Sequence, residues 1–181
     1  MTDFWVGELK SSPIGPIGVA ASERGVVRIS LYGLERLKRW QDFTNRPDLA
    51  RFSEEAPPSI LGVALLQIEE YLLGRRKVFD FPLDLQGYSS LARKVLDACK
   101  DIPFGSIRTY RQLANGLGHP GMARFVGNMM ARNPLPLVIP CHRVVGSDGT
   151  LHGFGAPGGL ATKSWLLTLE GQRLVNLKLV K

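Results

Sequence analysis

The sequence predicts two unlike halves: a small α/β unit over residues 1–87 and a mainly α unit with a helix-turn-helix over residues 88–181. Three observations support this. The first half carries a β-hairpin pattern, with short β-prone runs on either side of a Ser22-Glu23-Arg24-Gly25 turn. The second half carries two short helical stretches joined by a glycine-containing turn. The charge divides at the same place. Residues 1–87 hold 11 Lys/Arg and 12 Asp/Glu and sit at −1, whereas residues 88–181 hold 12 and 4 and sit at +8.

The elements follow in order. Pro13, Gly15, Pro16 and Gly18 mark a loop before the hairpin, whose strands are Val19–Ala21 and Val26–Leu31. A polar stretch over 33–59 is read as a loop with a short helix around Leu34–Phe43. Ser59 can cap a helix to about Leu73, with Leu61, Leu65, Ile68 and Leu72 as its apolar positions and Gly74 as its stop. Phe79-Asp80-Phe81 alternates like a strand before Pro82. In the second half, Ser90–Ala98 is helical, with Leu91, Val95, Leu96 and Ala98 apolar. Thr109 can cap a helix through Ala114, ended by Gly116 and Gly118. Pro120 suits a first helical turn, and Met122, Phe125, Val126, Met129 and Met130 then fall at helical spacing to about Arg132. Pro134 and Pro136 stop that helix, and Leu137-Val138-Ile139 leads into Pro140-Cys141-His142-Arg143. A glycine-rich loop over 147–159 precedes a last helix, Leu160–Glu170, with Trp165, Leu166 and Leu169 inward.

With 44% hydrophobic and 22% charged residues, the composition is that of a globular protein and argues against disorder. No apolar run approaches the roughly 18 residues of a membrane span, and no secretory signal is visible, so a cytoplasmic protein is expected. Two cysteines, Cys99 and Cys141, make neither a disulfide framework nor a metal cluster, and no metal or cofactor is expected. The positive second half would attract a polyanion, with nucleic acid the leading candidate, although many soluble proteins are basic.

Cys141 stands next to His142, with Pro140 before and Arg143 after. A thiolate is a nucleophile, and a nearby cation or base lowers the thiol pKa, so this run is a candidate activated thiol. Neighbours in sequence need not face each other, and a buried cysteine packing as a small hydrophobe is the other reading. Cys99, on an apolar helix face, reads as core, and His119 and His152 read as surface or loop residues.

Asn133-Pro134 followed by Ile139-Pro140-Cys141-His142-Arg143-Val144-Val145 closely resembles the active-site signature of the O6-alkylguanine-DNA alkyltransferases. The resemblance extends through Ile102–Gly105, Thr109-Tyr110, Leu113-Ala114, Ala123-Arg124, Val126-Gly127, Gly158–Leu160, Lys163, Trp165–Leu167 and Glu170-Gly171. It is dense over 102–171 and thinner through Ser12–Gly15, Leu66–Gly74 and Phe79–Pro82. It implies a small ribonuclease-H-like sheet with a helix as a structural domain over 1–87, and a winged-helix-like domain for DNA binding and alkyl transfer over 88–181. It also implies direct-reversal repair: one alkyl group passes from O6 of guanine to the protein's own cysteine, with no cofactor.

The resemblance implies these roles. Cys141 is the acceptor, and His142 is its base through a water, oriented by Glu170. Asn133 holds the turn that carries the cysteine. Tyr110 donates to the flipped base and crowds its 3′ phosphate. The carbonyls of Cys141 and Val144 accept from the guanine amino group, Phe154 walls the pocket, and the N–H of Gly155 lies near O6. Arg124 enters the base stack from the minor groove, small Ala123 and Gly127 let the helix approach, and Thr109 belongs to the same DNA-binding set. The expected partner is double-stranded DNA carrying O6-alkylguanine, bound by a monomer. Met122, Phe125 and a loop over 155–159 that looks two residues long depart from the family pattern. Relatives that sense lesions without transfer have the cysteine replaced, so the presence of Cys141 favours transfer. A cysteine hydrolase and a plain helix-turn-helix regulator each leave part of the pattern unexplained.

Overall fold

The computed structural model describes residues 3–38, 51–52 and 59–180, and the chain divides into two compact units, Met1–Gln86 and Gly87–Lys181. In the first unit, β1 (Asp3–Leu9), β2 (Ile17–Ser22), β3 (Gly25–Ser30) and β4 (Arg51–Phe52) form one sheet in the order β3-β2-β1-β4. The β2–β3 hairpin forms as predicted, antiparallel, and β1 runs antiparallel to β2 and parallel to β4. Strand β1 was not legible in the sequence, and Gly18, assigned to a loop, lies inside β2.

Helix α1 (Gly33–Lys38) and helix α2 (Ser59–Leu72) pack on opposite faces of this sheet. Phe4, Ala20, Val27 and Leu37 form the core on the α1 side. On the other side Gly7 sits under α2, where a Cβ would come within 2.8 Å of Leu65, so the glycine lets the helix settle onto β1. Coverage of both faces explains why every residue of β2 is buried and why its sequence, IGVAAS, shows no polar alternation. The rest of the helix predicted to Phe43 lies outside the described residues.

Two expectations in this unit are corrected. Ser59 is the first helical residue, and the buried stripe of α2 is Leu61, Ala64, Gln67, Ile68, Tyr71 and Leu72, with Leu65 half-buried. Phe79-Asp80-Phe81 is not a strand. The buried amide of Gln67 pairs with the Asp80 carboxylate, and its Oε1 accepts from Asp80 N at 3.1 Å, occupying the backbone that a ladder would need. Phe79 packs instead on Tyr71 and Phe81, with ring centroids 5.3 and 5.8 Å away.

The second unit opens with α3 (Ser90–Lys100), capped by the Ser89 hydroxyl. Its buried face is Ala92, Val95, Leu96 and Cys99; Leu91 and Ala98, expected there, are half-buried. Strand β5 (Arg108–Thr109) leads into α4 (Tyr110–Gly116). A 3-10 turn over Pro120–Met122 then leads into α5 (Ala123–Ala131). Helix α5 packs on both α3 and α4, giving the predicted helix-turn-helix. Residues 134–146 are buried throughout, with Leu135, Leu137 and Ile139 fully enclosed. They deliver a 3-10 turn, Cys141–Arg143, and then β6 (Val144–Val145), parallel to β5.

Helix α6 (Leu160–Leu169) closes the site, and a hairpin of β7 (Leu174–Val175) and β8 (Lys178–Leu179) follows it, unannounced by the sequence pattern. Trp165 and Leu169, expected inward, are half-buried; the inward face is Thr162, Lys163, Leu166 and Leu167. Among the described residues no helix is long and apolar enough to cross a membrane.

Candidate active site

The thiol turn is built by one asparagine. Asn133 Nδ2 donates to the Ile139 carbonyl at 2.7 Å, and its Oδ1 accepts from Leu135 N at 3.1 Å. These bonds bracket Leu137, a non-glycine residue held at φ 75. A left-handed leucine costs on the order of 1 kcal/mol or more, so the surrounding contacts must fix it. The same amide favours the ionised form of the Cys141 thiol. Asn133 stands one residue past the C-cap of α5, which is Arg132.

Cys141 is buried, at 7% exposure. Burial pushes its thiol above the ordinary value, and the Asn133 amide and the Lys163 charge oppose that only in part. Flanking positive charge therefore does not make this a resting thiolate; the free protein holds it as a thiol. Cys99 is fully buried on α3 and its pKa is raised well above normal by desolvation, so it packs as core.

His142 is fully buried, with Nε2 2.9 Å from Glu170 Oε1. Burial lowers its pKa despite the opposing carboxylate, so the ring is neutral near pH 7. With Glu170 ionised, Nε2 carries the proton and Nδ1 the lone pair. The ring stands edge-on to Phe154, 6.5 Å away.

Glu170 is buried at the end of α6 and would be costly as an isolated anion. Arg143 neutralises it, donating from Nε at 2.8 Å to Oε2 and from Nη2 at 2.7 Å to Oε1. Arg143 Nη1 also donates to the Ile102 carbonyl at 2.5 Å, and its guanidinium lies 5.9 Å from the Phe104 ring. The Ile102–Gly105 segment is thus the far wall of this ion pair, with Gly105 N donating to Glu170 Oε2 at 3.3 Å.

Lys163 is 1% exposed, and its Nζ donates to the Val144 carbonyl at 2.7 Å and the His152 carbonyl at 3.4 Å. Burial lowers its pKa to about 8. Arg143 and Lys163 were both visible in the matching motifs, yet sequence reasoning gave neither a task. The signal was positional: Lys163 and Glu170 share one helical stripe with Leu166 and Leu167, and charges on an apolar stripe are there for partners.

The helix-turn-helix brings further residues to the unit. Thr109 caps α4 in a reciprocal box with Gln112, and Tyr110 follows it as the first helical residue. Tyr110 is half-buried, and desolvation pushes its pKa up to about 12, so it stays a donor. Its ring lies beside Gly127, where a Cβ would be 3.9 Å away. Arg124 is exposed on α5, on one face with exposed Asn128 and Ala131. Ala123, Met122 and Phe125 are half-buried. Gly155 is exposed, and the segment after it is closed by Ala156, buried at 3%, and by the Thr162 hydroxyl on the Pro157 carbonyl.

What this geometry defines is a helix-turn-helix protein with a buried cysteine, a histidine held by a neutralised carboxylate, and a basic helical pair in one unit. Comparison with known proteins narrows the class. Residues 90–172 match the family described as 6-O-methylguanine DNA methyltransferase, DNA binding domain, and residues 6–85 match its ribonuclease-like domain. The methylated-DNA–protein-cysteine methyltransferase of Methanosarcina acetivorans is 34% identical over 88% of this chain and 94% of its own length. That of Mycolicibacterium paratuberculosis is 37% identical over 88% of each chain. The crystal structure of Mycobacterium tuberculosis OGT in complex with DNA superposes with a TM-score of 0.73 at 31% identity, covering 92% of this chain and 93% of that one. The chain belongs to the methylated-DNA–protein-cysteine methyltransferase family.

Proposed function

We propose that this protein repairs DNA by direct reversal, moving one alkyl group from O6 of guanine onto Sγ of Cys141 and being spent in the act. The observation that carries the reading is the buried Cys141–His142–Glu170 arrangement, in a chain whose relatives are named for transfer to a protein cysteine.

Glu170, neutralised by Arg143, orients His142, whose Nδ1 takes the thiol proton through a water. The thiolate attacks the alkyl carbon in line with its bond to O6. The S–C bond forms, the C–O bond breaks, and the bonding pair returns to guanine, which accepts one proton. Tyr110, protonated at all physiological pH values, is suited to donate toward the base as it leaves. Lys163 holds the Val144 carbonyl, which accepts from the guanine amino group, and its charge favours the thiolate during attack. The thioether product has no leaving path, so each molecule acts once.

O6 of a stacked guanine is out of reach, so the nucleotide must be extruded at a cost of roughly a few kcal/mol. Exposed Arg124 fills the vacated space from the minor groove, with Ala123 and Gly127 at the contact. Thr109 and Tyr110 face the flipped nucleotide, and Phe154 and Gly155 line its pocket. The protein acts as a monomer, in the cytoplasm, on duplex DNA.

Stoichiometry tests this reading. With excess duplex carrying O6-methylguanine, repaired base rises to one per protein and stops, and Cys141→Ser repairs none. Repair beyond one equivalent, or any by Cys141→Ser, contradicts it; tight lesion binding with no repair would mark a sensor.

A further inference from the structure

His152 takes no part in the chemistry above, yet it is tied to the site at two points. Its carbonyl accepts from Lys163 Nζ, the ammonium that also holds Val144. Its ring stands edge-on to Tyr110, with centroids 5.9 Å apart and planes at 61°. The side chain is exposed, and exposed side chains ordinarily change rotamer within nanoseconds. This one is held. Thr150 Oγ1 donates to Asp148 Oδ1 at 2.6 Å, which uses its single proton, so at 3.4 Å the same oxygen is an acceptor for His152 Nε2–H.

The loop beneath is shaped for this relay. Gly146 N donates to the Thr150 carbonyl at 2.9 Å and Gly149 N to the Gly146 carbonyl at 3.0 Å. A Cβ on Gly146 would lie 2.7 Å from His152 Nε2, 2.8 Å from Asp148 Oδ1 and 2.8 Å from Thr150 Oγ1. Only a glycine there leaves room for three polar groups to fold over the backbone.

Tyr110 needs lateral support. It is half-buried, and Gly127 beside it offers no side chain to hold the ring. We propose that His152 is a positioning residue that braces Tyr110 while a nucleotide is rotated out of the duplex. The Asp148–Thr150 relay anchors the imidazole, and its edge stops the phenol from yielding when the phosphate backbone crowds it. This rests on the role given to Tyr110 above.

The test compares two substrates in single-turnover assays: duplex O6-methylguanine, which must be extruded, and free O6-benzylguanine, which need not be. His152→Ala slows transfer from the duplex by roughly two- to tenfold, the worth of an edge-to-face ring pair. Transfer from the free base stays within about twofold, and His152→Phe, which keeps a ring but loses the Thr150 anchor, recovers only part of the duplex rate. Equal slowing on both substrates would make His152 a part of the pocket wall and overturn the proposal, as would an unchanged duplex rate. A wild-type protein inert to both substrates would overturn the transfer reading itself, a failure distinct from either.

Discussion

At the scale of single residues, the site is a chain of compensated burials. Glu170 is bearable because Arg143 neutralises it, and His142 is oriented because Glu170 is there. Glu170→Gln leaves Arg143 a buried, half-paired cation, so unfolding free energy falls by about 3–5 kcal/mol in a denaturant titration, and transfer is lost with it. Lys163→Met behaves differently. A buried cation becomes an apolar chain, so stability is unchanged or higher, while transfer slows by about tenfold or more as the thiolate loses its nearby charge. The two variants together separate catalysis from folding. The thiol and its histidine were legible because both fall in one short specific run. Arg143 and Lys163 were not assigned because their tasks depend on partners far along the chain: Glu170 for one, the Val144 and His152 carbonyls for the other.

The pH behaviour belongs to the same scale. His142 has its pKa lowered from 6.5 by burial. Above that value the ring is neutral in both folded and unfolded chains and exerts no pull. As pH falls below it, the unfolded chain takes up the proton first, so stability declines toward the depressed folded pKa. With His142 as the proposed base, single-turnover transfer needs its neutral ring, so the rate holds through neutrality and falls only below pH 6.5. An acid limb centred above that value would contradict the base role.

At the scale of elements, helices were legible and paired strands were not. Helices α3, α4 and α5 announce themselves by local caps, glycines and prolines, all near in sequence. Strand β1 pairs with β2 and β4, and nothing local distinguishes it from a loop. Phe79–Phe81 shows the converse, an alternation that a glutamine side chain diverts from the sheet. The Thr109 cap is local, and it starts α4 at Tyr110, the residue proposed above to face the flipped nucleotide. Thr109→Ala costs about 1 kcal/mol of stability, read as a lower thermal midpoint, and slows duplex transfer through a frayed first turn.

At the scale of the whole molecule, the charge division falls where the two family matches meet. The half at +8 carries exposed Arg108, Arg111, Arg124 and Arg132, and it is the half matched by the DNA-binding family. Affinity for undamaged duplex therefore falls steeply with salt. Arg124→Ala should change that slope by less than a phosphate contact would, about one unit, yet cut duplex transfer sharply while sparing free O6-benzylguanine. A full-unit change in slope with equal loss on both substrates would make Arg124 an ordinary phosphate contact.

The central claim is that Cys141 itself becomes the alkyl acceptor, and peptide mass spectrometry tests it most directly. After reaction with duplex O6-methylguanine, the peptide containing Cys141 gains one methylene, saturating at one per protein, while the peptide containing Cys99 is unchanged. An unmodified Cys141 peptide alongside restored guanine, or a methyl group on any other residue, would contradict the account.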